Sequence, residues 1–112
     1  MPRHDDTVPL LHMLNHAREA VAMIVGKGPE SLSKERMLEL SLIKLVEIIG
    51  EAAGRVSQAG QKKYAEIPWR EVVNMRNRLV HGYDSVDHAV LWDTIELDLP
   101  PLISQLEKIL PR

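Results

Sequence analysis

Apolar residues recur along the chain at the three- and four-residue steps of an amphipathic helix. The first series runs from Leu10 to Val25 and follows three residues of N-capping character at positions 5–7. Gly26 and the Gly-Pro pair at positions 28–29 then interrupt the series. The pattern predicts a first helix over about residues 8–25.

A second, longer series predicts a helix from Ser31 or Ser33 to about Gln58, with Gly60 as its stop. One stripe of this helix steps by four and three residues: Leu38, Leu42, Leu45, Ile49, Ala52 and Val56. Other apolar positions widen the stripe: Met37, Leu40, Ile43, Val46 and Ile48. So wide an arc predicts burial in the subunit's own core and against a partner, although the central helix of a small bundle also explains it. Gly50 would let another helix approach closely.

Two further helices follow a short polar connector at residues 61–67. Pro68 suits the first turn of a third helix, and its predicted inner face, with Arg76 on the same side, consists of Trp69, Val72, Val73 and Val80. Ser85 suits the cap of a fourth helix, which Pro100-Pro101 breaks or kinks before the apolar pattern continues. No alternating strand pattern of useful length occurs. The sequence therefore predicts an all-α antiparallel bundle of four to five helices, with residues 1–112 as a single domain.

Composition narrows the class of protein. A chain of 112 residues, 45% hydrophobic and 27% charged, is typical of one soluble globular domain. The absence of cysteine excludes disulfides, thiolate metal sites and cysteine catalysis, and it fits a reducing compartment. The N-terminus has no apolar signal region, and no run approaches the ~18 apolar residues of a membrane span. These features predict a cytoplasmic protein that does not contact a membrane.

The charge balance restricts binding to nucleic acid. A formal net charge of -2 gives no general attraction for it. Residues 70–82 nevertheless contain Arg70, Arg76 and Arg78 against the single carboxylate of Glu71. Such a patch suits one or two phosphates and is too small for tight non-specific binding to a long duplex.

One stretch, Arg76 to Asp84, breaks the apolar pattern with two arginines, an asparagine, a histidine and a tyrosine. A polar cluster at the end of an apolar helix is costly unless it lines a cleft and finds partners there. On a continuous helix Arg76 and His81 would lie about 140° apart. They can therefore act together in one subunit only if the helix ends or loosens near Val80, and Gly82 supplies the necessary freedom.

Arginine and histidine together suit chemistry at phosphorus. Histidine titrates near neutral pH and can move protons, while arginine offers a charged planar fork to phosphate oxygens. An RNA strand supplies its own nucleophile, the 2′-hydroxyl, so this small set would support metal-independent RNA cleavage. The alternative is a helix C-terminal cap, because cations there bond the last carbonyls and favour the helix dipole.

Other polar and aromatic residues give weaker indications. His12 and His16 have the spacing of a helical metal pair, but no carboxylate or cysteine set completes a site, so we expect neither a metal nor a cofactor. Tyr64 and Trp69 could stack on RNA bases, yet Trp69 at the start of an apolar helix favours a core position. His88 is either close to the cleft or an ordinary exposed histidine.

Residues 76–83 resemble the R-x4-H-x-Y motif of the HepT toxins, which belong to the HEPN ribonuclease superfamily. Similar segments extend over nearly the whole chain: Ile48–Ala53, Ile67–Arg70, Trp92 and Asp98–Pro100. No motif position departs from the family pattern. The resemblance implies an α-helical homodimer in which both motifs line one cleft. It also implies a metal-independent endoribonuclease toxin that cuts cellular RNA.

By position, the resemblance implies that Arg76 and His81 are the catalytic pair, with Asn77 in support. We also expect Arg78 to support the site. Tyr83 matches the tyrosine that an MntA-type nucleotidyltransferase antitoxin modifies with AMP in some members. An adenylyl group there would add negative charge and bulk where the RNA phosphate must sit. Neutralisation by simple antitoxin binding remains an alternative.

The sequence also allows two other functions. One is a non-catalytic helical module that binds a nucleotidyltransferase or a nucleotide. The other is a purely structural helical dimer, which leaves the polar cluster at residues 76–84 without an explanation.

Overall fold

The computed structural model describes residues 5–81 and 85–110, with the backbone alone at His81. The helices in chain order are α1 (Thr7–Met23), α2 (Ser31–Lys34), α3 (Arg36–Arg55), α4 (Gln58–Lys63), α5 (Trp69–Val73), α6 (Met75–Leu79), α7 (His88–Asp93) and α8 (Leu99–Ile109). A π-helical turn, Thr94–Asp98, joins α7 to α8. Two-residue strands β1 (Val80–His81) and β2 (Ser85–Val86) pair antiparallel after α6. The protein is all-α, as predicted.

The bundle is built around α3. Its main neighbours are α1, α5 and α6, and α8 packs against α1. The predicted α3 stripe is buried throughout: Leu38, Leu42, Leu45, Ile49, Ala52 and Val56. Among the described residues, no helix combines the length and the apolar character needed to cross a bilayer.

The predicted second helix is shorter than expected at both ends. Glu35 has an extended backbone (φ -119, ψ 91) and separates α2 from α3, while Val56 (φ -68, ψ 133) ends α3. The Ser57 side chain accepts a hydrogen bond from the Gly60 backbone N–H at 3.0 Å and so starts α4. Gly60 thus lies inside a helix, and its prediction as a stop was wrong because the serine cap restarts the helix before it.

The predicted third helix is divided at Asn74 (φ -97, ψ 7), whose side chain donates to the carbonyl of Arg70 at 2.9 Å. The buried positions of α5 and α6 are Trp69, Val72, Met75 and Leu79. Val73 and Val80 are exposed, so their assignment to the inner face was wrong. Because Met75 and Leu79 continue the series begun by Trp69 and Val72, Arg76 lies on the exposed side with the two valines.

The predicted fourth helix starts later than expected. Ser85 belongs to β2, and the carboxylate of Asp87 caps α7 by accepting from the Val90 backbone N–H at 3.1 Å. The interruption predicted at Pro100-Pro101 appears just before these prolines, as the π-helical turn Thr94–Asp98. Proline has no N–H, so the carbonyls four residues earlier lose their α-helical partners at this point.

The predicted close approach to α3 occurs at Gly50. A Cβ atom there would lie 3.2 Å from the carbonyl oxygens of both Val72 and Val73. These carbonyls are at the C-terminal end of α5, three to four residues before Arg76. The missing side chain at Gly50 therefore sets how near the motif helix lies to α3.

Candidate active site

The end of α6 controls the direction of the motif. The helix stops at Leu79, and Val80 has an extended backbone (φ -81, ψ 126). The backbone of His81 therefore leaves the helix and pairs with Ser85. This meets the condition, derived from helical geometry, under which Arg76 and His81 can act together. Gly82, Tyr83 and Asp84 lie outside the described residues.

Arg76 is held by a carboxylate of α3. Its Nε donates to Glu47 Oε2 at 3.0 Å, and the other oxygen of Glu47 accepts from Lys44 Nζ at 3.0 Å. The side chains of Arg76 and Glu47 are 51% and 30% exposed. The hydrogen bond from Lys44, followed by that from Arg76, lowers the pKa of Glu47. Within the described residues the terminal Nη atoms of Arg76 make no hydrogen bond, so they are available to an anion.

Asn77 and Arg78, the two predicted supporting residues, lie in different surroundings. Asn77 is exposed next to Arg76, and its Nδ2 donates to Asn74 Oδ1 at 3.4 Å. Arg78 Nη2 lies 3.6 Å from Asp98 Oδ2 in the π-helical turn. Residues two apart on a helix differ by about 200° in direction. The structure therefore does not bring Arg78 together with Arg76.

Arg78 borders a cavity of about 380 Å³ between α5–α6 and the start of α8. Met75, Leu102 and Gln105 contribute to its lining, whereas Arg76 and Glu47 do not. This cavity therefore lies on the opposite side of α6 from Arg76. We assign the candidate site to the motif residues and not to the cavity.

A second carboxylate of α3 binds the start of α7. Glu39 is buried, and its Oε2 lies 2.7 Å from His88 Nε2, while Oε1 accepts from Arg36 Nη1 at 2.8 Å. The hydrogen bond with His88 lowers the pKa of Glu39 most, burial opposes this, and Arg36 lowers it further. The Asp87 N–H also donates to the Leu79 carbonyl at 2.8 Å. Together these contacts fasten the chain that follows the β1–β2 pair to α3 and to the end of α6.

The remaining polar and aromatic candidates have ordinary roles. The ring of His16 bonds the carbonyl of His12 at 2.7 Å, and within residues 5–81 and 85–110 no three potential ligands gather for a metal. Trp69 is buried, as predicted, and its Nε1 donates to the carbonyl of Tyr64 at 3.1 Å.

Comparison with known proteins identifies the family. The family model described as Ribonuclease HepT-like matches residues 13–109. The chain belongs to the HepT-like ribonuclease family. This confirms at family level the resemblance read from the motif.

Similar proteins match most of the chain. It is 39% identical over 75 residues to "Probable ribonuclease HepT" of Thermococcus cleftensis, covering 67% of this chain and 68% of that protein. It is 30% identical over 103 residues to "Putative RNase TTE0752" of Caldanaerobacter subterraneus subsp. tengcongensis, covering 92% of both. It is 27% identical over 110 residues to "Putative RNase MJ0125" of Methanocaldococcus jannaschii, covering 98% of this chain and 95% of that protein. No solved structure matches the chain.

Glu39, Glu47 and the pairing of His88 were not foreseen from the sequence of this HepT-like chain. Both glutamates are single charges between apolar neighbours, Glu39 in Leu-Glu-Leu and Glu47 in Val-Glu-Ile. A lone charge within an apolar arc is costly without a partner. This pattern could therefore have indicated that both glutamates are paired. The two lie about 12 Å apart along α3 and differ by about 80° in direction. Neither interpretation of His88 anticipated its half-buried position beside Glu39.

The buried Glu39 predicts a specific dependence of stability on pH. Its pKa is below the usual 4.5 in the folded chain, so its stabilising contribution is complete above about that pH and is lost as the pH falls through the folded pKa. We expect Glu39→Gln to lower the free energy of unfolding by about 1–3 kcal/mol at neutral pH. The deficit should shrink on acidification. Urea unfolding between neutral pH and about pH 3 measures both effects.

Glu19→Gln, at an exposed position of α1, serves as the control and should follow the wild type. A constant difference between Glu39→Gln and the wild type at every pH would contradict the linkage.

Proposed function

We propose that this protein is a metal-independent endoribonuclease and the toxin of a HepT/MntA-type toxin–antitoxin system, with Arg76 and His81 as its catalytic pair. The observation that carries the proposal is the state of Arg76. Its guanidinium is anchored through Nε, its terminal nitrogens are unbonded within the described residues, and the helix ends three residues later. Membership of the HepT-like family supports the reaction class.

The proposed reaction uses the 2′-hydroxyl of the RNA as nucleophile. His81 takes the proton of that hydroxyl, the 2′ oxygen attacks the adjacent phosphorus, and the bond from phosphorus to the 5′ oxygen breaks. A proton returns to the departing 5′ oxygen, which leaves a 2′,3′-cyclic phosphate and a 5′-hydroxyl. Arg76 stabilises the charge on the non-bridging oxygens. Asn77 supports Arg76 from the next position, whereas Arg78 acts at most through its ion pair with Asp98.

We predict that the purified protein cuts RNA in EDTA, and that His81→Ala or Arg76→Ala lowers the rate about 10²- to 10⁴-fold. Gel analysis of a labelled RNA measures the rate and identifies the cyclic phosphate. His12→Ala, at an exposed position of α1, is the control and should leave the rate unchanged. Cleavage that continues at the wild-type rate in His81→Ala would contradict the assignment.

The competing function, a non-catalytic module that binds a nucleotidyltransferase, has a different signature. It predicts no RNA cleavage by the wild type at any enzyme excess, together with a stable complex with that partner.

The proposal includes a homodimer with both motifs at one cleft. On α3 the exposed apolar residues Met37 and Leu40 are 83% and 48% exposed, and they share a stripe with Lys44 and Glu47. On α5–α6, the exposed Val73 lies on the same side as Arg76, which is hydrogen-bonded to Glu47. An apolar surface that continues into the motif supports an interface at the active site.

We predict that Leu40→Glu gives a monomer and abolishes cleavage, because a charge at the interface is costly and the cleft requires both copies. Light scattering measures the mass in solution. Leu97→Glu is the matched control, since Leu97 is also an exposed leucine, at 59%, but lines the cavity on the other side of α6. An unaltered dimer across charged substitutions at Met37, Leu40 and Val73 would count against this interface.

We propose that neutralisation occurs at Tyr83, two residues after His81. The protein is proposed to act in the cytoplasm. AMP added by an MntA-type partner would bring negative charge and bulk to the catalytic histidine. Mass spectrometry of the protein coexpressed with an MntA-type nucleotidyltransferase should detect the added AMP on Tyr83. An unmodified peptide from a neutralised complex would indicate inhibition by binding.

A further inference from the structure

The partner of Arg76 is placed on the most firmly held element of the bundle. Glu47 follows the buried Val46 and precedes the buried Ile49, and the next residue, Gly50, contacts the backbone of α5. The backbone at Glu47 is therefore held in place by the core of the protein. By contrast, Arg76 has a long side chain on a five-residue helix that ends at Leu79.

The choice of Nε as the bonded atom fixes the direction of the guanidinium. A planar guanidinium that donates through Nε–H does not turn freely about its long axis. The outer edge, formed by its two terminal nitrogens, then points in a different direction from the Nε–H bond. Those nitrogens form the donor pair that suits two oxygens of one phosphate. The hydrogen bond to Glu47 thus restricts the rotation of the guanidinium. It leaves the edge formed by the two terminal nitrogens open to a phosphate.

A proton-transfer role does not fit Glu47. Lys44 and Arg76 keep its pKa below the usual range, so the carboxylate is a weak base near neutral pH. Its two oxygens are also occupied by Lys44 and Arg76. Glu47 would therefore influence the reaction through its effect on Arg76.

We propose that Glu47 is a positioning residue for RNA cleavage, which holds the Arg76 guanidinium in the orientation that receives the scissile phosphate. The inference rests on the proposed ribonuclease function and deepens it. Orientation set before the substrate arrives does not have to be obtained during the reaction, so the benefit appears in kcat. The opposite role, in which Glu47 competes with phosphate for Arg76, predicts faster cleavage when the carboxylate is removed.

The first experiment compares two substitutions at Glu47 with the same two at Glu51. Glu51 is exposed one turn further along α3 and makes no ion pair with Arg76 in the part of the chain that the structure describes. We expect Glu47→Ala to lower kcat about 10- to 100-fold with KM changed by less than about threefold. Glu47→Gln retains an oxygen acceptor for Nε–H and should recover most of the loss. Glu51→Ala and Glu51→Gln should match the wild type.

A double-mutant cycle shows whether Glu47 acts through Arg76. If it does, adding Glu47→Ala to Arg76→Ala causes no further loss of kcat. A general structural role would instead make the two losses multiply. The NMR signal of Arg76 Nε–H, assigned with Arg76→Lys, reports on the contact directly. It should shift in Glu47→Ala and stay in place in Glu51→Ala.

The outcomes separate this inference from the function on which it rests. An active wild type with unchanged or increased kcat in Glu47→Ala, or with multiplying losses in the cycle, overturns the positioning role alone. An Nε–H signal that is the same in the wild type and Glu47→Ala overturns the contact. A wild type that cuts no RNA overturns the proposed function, and the positioning role with it.

Discussion

The contact between α3 and the end of α5 at Gly50 determines where the polar motif lies. Two backbone carbonyls of α5 come so close that a Cβ atom would touch them at 3.2 Å, which only glycine accommodates without a shift. Because the buried stripe of α3 fixes that helix in the core, the contact also fixes α5 and the short α6 beyond it. The carboxylate one turn before Gly50 is then within reach of Arg76. A single missing side chain thus brings a polar pair together at the edge of an apolar bundle.

The two carboxylates of α3 secure the two ends of the motif by different means. Glu47 meets Arg76 at the surface, whereas Glu39 is buried and binds His88 just after the β1–β2 pair. The buried contact stabilises the fold, because an ionised carboxylate away from water requires its partners. The exposed contact contributes little to stability, since water screens such pairs. Helix α3 therefore acts both as the core of the bundle and as the frame of the candidate site.

Much of this could be predicted from the sequence, because helical periodicity reports burial directly. It identified the buried stripe of α3, the close approach at Gly50 and the need for the motif helix to end near Val80. It failed where a local side-chain bond decides the backbone, as at Asn74 and Ser57. It also missed the partners of Arg76 and His88, because each lies on a helix far away in the chain. Pairing across helices depends on packing distances, which spacing within one segment does not contain.

The exposure of the Glu47–Arg76 pair bears on how a single subunit would behave. With half of the Arg76 side chain in water, screening reduces the strength of its attraction to Glu47. If a second copy covered the adjoining apolar surface at Met37 and Leu40, water would be excluded and the same contact would strengthen. Assembly would then hold the orientation of Arg76 more firmly than a single subunit does. If the proposed dimer forms, activity would therefore depend on assembly as well as on an intact motif.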